Sequence, residues 1–242
     1  MLHLHLFLLK KLNNKMKFKF LLFFFLFNAG LSFCQQPDFS RNIHIHIWSE
    51  LDAYPELKEA QDVSASAFEY PVSRIKETAP FLINGMIYGW NFDYVPYDKA
   101  RRVDEFFEFS PVQNLTEADK SNIKYAKPWG DETRLNVWIE FVRNPSQLAF
   151  YKSWQTIKNP RIKGTGYAKL SEGFEGIQKA AAEALKEAVR NYERQLIKTK
   201  PKEITGRVLM TEPPQIGVDA GQYKVTLEFF METDRIIEYK TF

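Results

Sequence analysis

His44 and His46 stand one residue apart in the run NIHIHIW, Asn42 to Trp48. Alternate residues of a strand share a face, so both imidazoles can reach one ion. A structural zinc takes about four protein ligands and a catalytic zinc about three. The chain has four histidines, the other two being His3 and His5, and one cysteine, Cys34. Asp or Glu would have to complete the shell, and no spacing marks them. The run therefore predicts a strand with isoleucines inward and histidines facing water or a partner. No metal is assigned, and His44 and His46 stand as the metal candidates.

Other catalytic chemistries have fewer residues to draw on. GTG at 164–166 has Lys169 where a dinucleotide fingerprint needs its third glycine, so it reads as a turn. No phosphate-binding loop and no nucleophile elbow occurs. A Ser–His–acid triad would have to use His44 or His46. Asp104 with Glu108 and Glu228 with Glu232 are the carboxylate pairs open to a hydrolase of the glycosidase kind. Acids on strands mostly form a solvated face, so no catalytic residue and no cofactor is assigned.

The aromatic residues make the second candidate site. In YGWNFDYVPYD, Tyr88, Trp90, Phe92 and Tyr94 alternate and share one strand face. Such a row is either core or a platform for a glycan, peptide or partner, since Tyr and Trp join apolar area to a polar tip. Arg101 and Arg102 in KARRVDE would form the charged rim of that platform.

The elements that must carry these groups read as an α+β fold. Ile43, Ile45 and Ile47 give the first strand its inward face. A helix is expected over 71–81, with Pro71 in its first turn and Pro80 as a breaker. Two strand-like runs flank VPYDKA, and a hairpin with Pro128–Asp131 in its turn brings Leu135, Val137, Ile139 and Phe141 onto one face. LAFYKSWQTIK and RIKGTGYAKL read as two more strands.

From Ser171, a plausible cap, to the stop at Pro201 runs one long amphipathic helix, about 172–198. Phe174, Ile177, Ala181, Leu185, Ala188, Tyr192 and Leu196 line it. ITGRVLM and GQYKVTLEFFM then form a hairpin, with Tyr223, Val225, Leu227 and Phe229 on its buried face. The expected architecture is antiparallel sheet with this helix and a second, shorter one packed on one face. Each half also has a helix, a glycine (Gly85, Gly206) and a hairpin ending in Glu-Phe (108–109, 228–229), the pattern of an internally duplicated helix–hairpin unit.

The N-terminal residues bear on location. From Met16, MKFKFLLFFFLFNAGLSFCQQ has a basic n-region, a charge-free apolar run Phe20–Phe27 and small or polar residues up to Cys34. That is the layout of a secretory signal peptide, too short for a comfortable transmembrane span. Residues 1–34 are the expected leader, with translation starting at Met16. Cys34 is either the acylated first residue of a lipoprotein or the last residue removed. A polar tether, 35–42, leads to an N-terminal part, 43–160, and a C-terminal part, 161–242, which together make one continuous domain or two. The leader holds five lysines and no acid, so the 208 residues after it carry 28 basic against 30 acidic side chains. A nucleic-acid partner loses its electrostatic basis. Export with no cysteine pair points to a bacterial periplasm, outer membrane or cell surface.

GTGYAKLSEGFEGIQKAAAEALKEAVRNY, ITGRV and GQYKVTLEFF, about 165–230, resemble small exported bacterial envelope proteins of the flagellar-assembly and outer-membrane-associated lipoprotein type. The resemblance implies an envelope adaptor or assembly role and carries no catalytic residue over. The expected function is thus a non-catalytic envelope module that binds other proteins. The alternative is a cell-wall glycan or peptide binder using an aromatic platform, and a hydrolase comes third. Membrane contact is expected only through a lipid on Cys34.

Overall fold

The computed structural model describes residues 40–52, 68–156 and 158–239. The expected leader and Cys34 lie outside them. The α+β fold is the one expected: antiparallel sheets with helices packed against them, one of the helices long.

The first strand, β1 (Asn42–Glu50), alternates as its sequence does, with Ile43, Ile45 and Ile47 buried and His44 and His46 exposed. It pairs with β5 (Arg134–Val142), which pairs with β4 (Lys124–Gly130), giving a three-stranded sheet β1-β5-β4. Val137, Ile139 and Phe141 of β5 join the isoleucines on the inner face. Pro128 lies inside β4 rather than in the turn. The ladder is irregular between Ala126 and Trp129, and Lys127 takes φ 49° there, so the strand tolerates a residue that cannot donate.

Helix α1 (Glu69–Ile87) contacts that inner face and also the larger sheet. It runs six residues past the expected end and carries Pro80 in its interior. Proline removes one helical hydrogen bond, but Ala79, Leu82, Ile83, Met86 and Ile87 are all fully buried, and their packing holds the helix through it. Gly85 is therefore helical, not the start of a hairpin. The echo between the halves survives only as two helices that each precede a pair of strands.

The larger sheet has the order β3-β2-β7-β9-β6, with β8 also on β9. Its strands are β2 (Trp90–Val95), β3 (Phe106–Pro111), β6 (Arg161–Lys169), β7 (Glu203–Met210), β8 (Gln215–Asp219) and β9 (Gln222–Ile237). The pairing of β2 with β7 runs one sheet through both sides of residue 160. Strand β9 pairs with β7 over its later residues and with β8 over its first ones, so the expected final hairpin holds an extra strand.

Helix α4 (Gly173–Leu196) crosses β6 and β9, preceded by a 3-10 turn, Leu170–Glu172, which contains Ser171. Ser171 makes no cap; Glu172 takes that place without a side-chain bond. Ile177, Ala181, Leu185 and Ala188 are buried as expected, while Leu196 is exposed.

LAFYKSW is helical, not a strand: α3 spans Pro145–Trp154. Asn144 caps it, accepting from Gln147 N–H, while the Gln147 side chain accepts from Asn144 N–H, and Pro145 fills the first turn. Tyr151 and Trp154 then bury against Leu209 of β7 and Phe230 of β9. A short helix, α2 (Glu117–Ser121), opens with a similar box between Thr116 and Asp119.

Candidate functional site

The residues that face outward from the three-stranded sheet come from β1, β5 and β4. In register, His44 lies opposite Glu140, His46 opposite Trp138 and Trp48 opposite Asn136, while Trp129 of β4 is also opposite Asn136. Paired residues share a face, so four rings are brought together. They form a column. His44 stacks on Trp138 at 4.6 Å and 13°, Trp138 meets His46 at 5.3 Å, and His46 stacks on Trp129 at 5.2 Å and 15°. Each such contact is worth roughly 0.5–1.5 kcal/mol beyond buried area.

Polar groups orient the imidazoles. The Asn136 amide nitrogen donates to Asp131 Oδ2 (3.2 Å), which leaves Asn136 Oδ1 to accept from His46 Nε2 at 3.1 Å. Asp131 in turn accepts from the N–H groups of Thr133 and Arg134, and the Thr133 bond does most to hold its carboxyl below the ordinary range. His44 Nε2 lies 3.3 Å from Glu140 Oε1.

Beside the column runs an open groove of about 510 Å³. His44, His46 and Trp138 form one wall. Pro213, Pro214 and the start of β8 form the other, with Lys224 and Thr226 of β9 also lining it. Trp48 of β1 ties that strand to the β8 wall: its indole N–H donates to Ile216 O at 2.9 Å, and the Arg134 guanidinium lies 4.1 Å over its ring. The groove lining holds no Ser or Cys, and the Thr226 hydroxyl is engaged with that of Thr165 at 2.9 Å. Among the described residues no three His, Cys, Asp or Glu side chains are grouped to hold a metal.

The column faces restrict what it can bind. Trp138 meets both histidines, and Nε2 of each histidine faces Asn136 or Glu140, so ring edges and open ring surface, rather than those nitrogens, are what a ligand can meet. Ring edges are electropositive and match carbonyl or carboxylate oxygens. Trp129, 41 % exposed, is the tryptophan with open ring surface, beside the exposed His44 and His46.

Of the two readings of the Tyr88–Tyr94 row, the core holds and the platform does not. Trp90, Phe92 and Tyr94 are 1–3 % exposed and belong to the core, where Trp90 meets Phe81, Phe109 and Phe229. Tyr88 is not on the strand at all; it caps α1, and its hydroxyl donates to Asp119 Oδ2 at 3.0 Å. Arg101 ion-pairs with Asp98 at 2.6 Å and covers the Tyr239 ring, and exposed Arg102 sits in a turn at φ 56°. These arginines shape the turn and border no aromatic face built from that row.

The later acid pair separates, and the earlier one has other neighbours. Four strand residues put Glu228 and Glu232 about 13 Å apart, beyond the 5–9.5 Å of glycosidase carboxylates. Each has its own arginine, Arg161 and Arg207 respectively. Glu108 lies opposite Asp93, whose carboxyl is pushed up by burial and then by Glu203 and Glu108, while Asp104 is exposed in the connection before β3.

Trp129 and Trp138 were not among the expected site residues. Their signal was present: Trp138 occupies an outward position in LNVWIEF, where the alternation calls for a polar side chain.

An uncharacterised protein family's model matches residues 31–239. An uncharacterised protein of Treponema pallidum (strain Nichols) is 25% identical over 200 residues, which are 83% of each chain. No solved structure matches.

Proposed function

The chain belongs to the uncharacterised family whose model spans residues 31–239, and we propose that it is an exported bacterial envelope protein that works by binding an extended segment of another protein. The His44–Trp138–His46–Trp129 column beside the Pro213–Pro214 wall carries this reading. An extended peptide laid along the groove would set its carbonyl groups against ring edges, and its side chains would enter the space over Lys224 and Thr226. Strand β1 is the edge of its sheet among the described residues, so its unpaired backbone groups can add main-chain hydrogen bonds. Export rests on the leader pattern at 16–34, and an assembly role agrees with the resemblance of about 165–230 to envelope lipoproteins.

A photo-crosslinking residue placed at Gly217 in cells tests the reading. A discrete protein adduct that disappears with Trp138→Ala and His46→Ala is the expected result. A uniform smear, or an adduct indifferent to both substitutions, overturns it. The open surface of Trp129 favours a second reading, stacking on a cell-wall sugar. Retention on purified sacculi that is lost in Trp129→Ala would select it.

A further inference from the structure

We propose that a second site, the cleft at the C-terminal end of α4, binds an amphipathic anion: an apolar body carrying a carboxylate or phosphate. The cleft shares no lining residue with the groove beside the column and rests on different observations. It measures about 620 Å³, within the range of small-molecule sites. Its apolar wall includes Tyr97, Ile197, Pro201 and Ile204.

Four cations line it, Arg190, Arg194, Lys198 and Lys200, against two carboxylates, Glu105 and Glu193. Both carboxylates are already engaged. Glu105 accepts from the Tyr94 hydroxyl at 3.0 Å and lies 3.5 Å from Lys186 and 3.8 Å from Arg190. Glu193 accepts from the Thr233 hydroxyl at 3.0 Å, and its burial favours the uncharged form. Lys200 donates to Tyr97 O at 2.8 Å. Arg194 and Lys198 have no hydrogen bond or ion pair among the described residues. Arg194 lies in the last turn, where the helix dipole favours a cation, but Lys198 lies beyond the helix. The charges of Arg190 and Arg194 are felt at the Tyr94 hydroxyl inside the cleft. An anion that seats its charge between Arg194 and Lys198 leaves its apolar part against Tyr97, Ile197 and Ile204.

Calorimetric titration of the purified chain with octyl phosphate, octanoate, octanol and inorganic phosphate is the test. Octyl phosphate, octanoate or both should bind at least tenfold tighter than octanol and inorganic phosphate, and whichever binds tighter names the head group. Arg194→Ala/Lys198→Ala should cut that affinity at least tenfold while the chain stays folded with a melting temperature lowered by no more than a few degrees, since both side chains are exposed and only Arg194 meets the helix dipole. Octanol binding as well as the anions removes the charge requirement. Inorganic phosphate binding as well removes the apolar body. Either result, no binding of any probe at millimolar concentration, or an unaffected double variant overturns the proposal.

Discussion

Arg143 donates from Nη2 to the carbonyl oxygen of Met86 at 2.6 Å, so a residue just after β5 closes the last turn of α1. The same guanidinium donates from Nη1 to Ser40 O at 2.7 Å and lies 4.3 Å over the Tyr151 ring of α3. It is 3 % exposed. A cation at a helix C-terminus is favoured by the dipole, and each bond from a charged donor contributes about 1.5–3 kcal/mol. Arg143→Ala should cost about 3–5 kcal/mol in urea unfolding. Arg143→Met should cost less, because it keeps the contact with Tyr151. A loss below about 1 kcal/mol for Arg143→Ala would refute this role.

Gly166 explains what GTG is for. A Cβ there would lie 2.0 Å from Ala180 O, and one at Gly164 would lie 2.0 Å from Ala184 O. The backbone of β6 touches the backbone of α4, which is also why the helix carries alanines at 180, 184 and 188. The neighbouring atoms are main chain and cannot swing away. Gly166→Ala should cost more than about 3 kcal/mol or leave no soluble protein, within the range of severe overpacking. Gly217→Ala is the control, since nothing lies within 4 Å of its Cβ position. Equal melting temperatures for the two variants would contradict the close approach.

Elements governed by one strong period are legible: β1 follows its alternation as far as Ile47, the long helix its three-and-four spacing from Ile177 to Ala188, and the first part of β9 its alternation. Two errors came from local rules overridden by packing or by an unread cap. The proline rule predicts a break at Pro80, yet five buried neighbours carry α1 past it. The aromatic content of LAFYKSW predicts a strand, while the box Asn144–Gln147 just before it signals a helix. The row Tyr88–Tyr94 was correctly placed in part on one face, but alternation alone does not say which side of a two-sided sheet is wet. The ring column could be read only by half, because His46 and Trp138 are joined by strand pairing across about ninety residues. Their register appears only once β1 is set against β5.

That pairing changes the expected cost of removing the histidines. As free surface groups they would be worth less than about 0.5 kcal/mol. With three ring contacts to two tryptophans lost, His44→Ala/His46→Ala should cost about 1.5–4.5 kcal/mol. Ile45, fully buried between them, should lose about 2–5 kcal/mol as Ile45→Ala. Thermal melts with and without chelator measure both. Wild-type melting should not respond to chelator. A chelator-induced drop absent from the double variant would restore a metal role to the pair.

Glu193 gives a pH dependence whose sign follows from its surroundings. It is 4 % exposed, Oε1 accepts from Thr233, and Oε2 has no partner among the described residues. Burial pushes its carboxyl above the ordinary range, and the Thr233 bond opposes this only in part. The folded chain therefore binds this proton more tightly than the unfolded chain. Between the unfolded value and the raised folded one the native state holds more protons, so this group makes stability fall as pH rises. Its penalty is absent below the unfolded pKa and complete above the folded one. Glu193→Gln keeps an acceptor for Thr233 and removes the charge. It should melt higher than wild type at pH 8, and the gap should close as pH falls toward 4. A gap that stayed constant from pH 4 to pH 8 would show that ionisation of Glu193 is not its source.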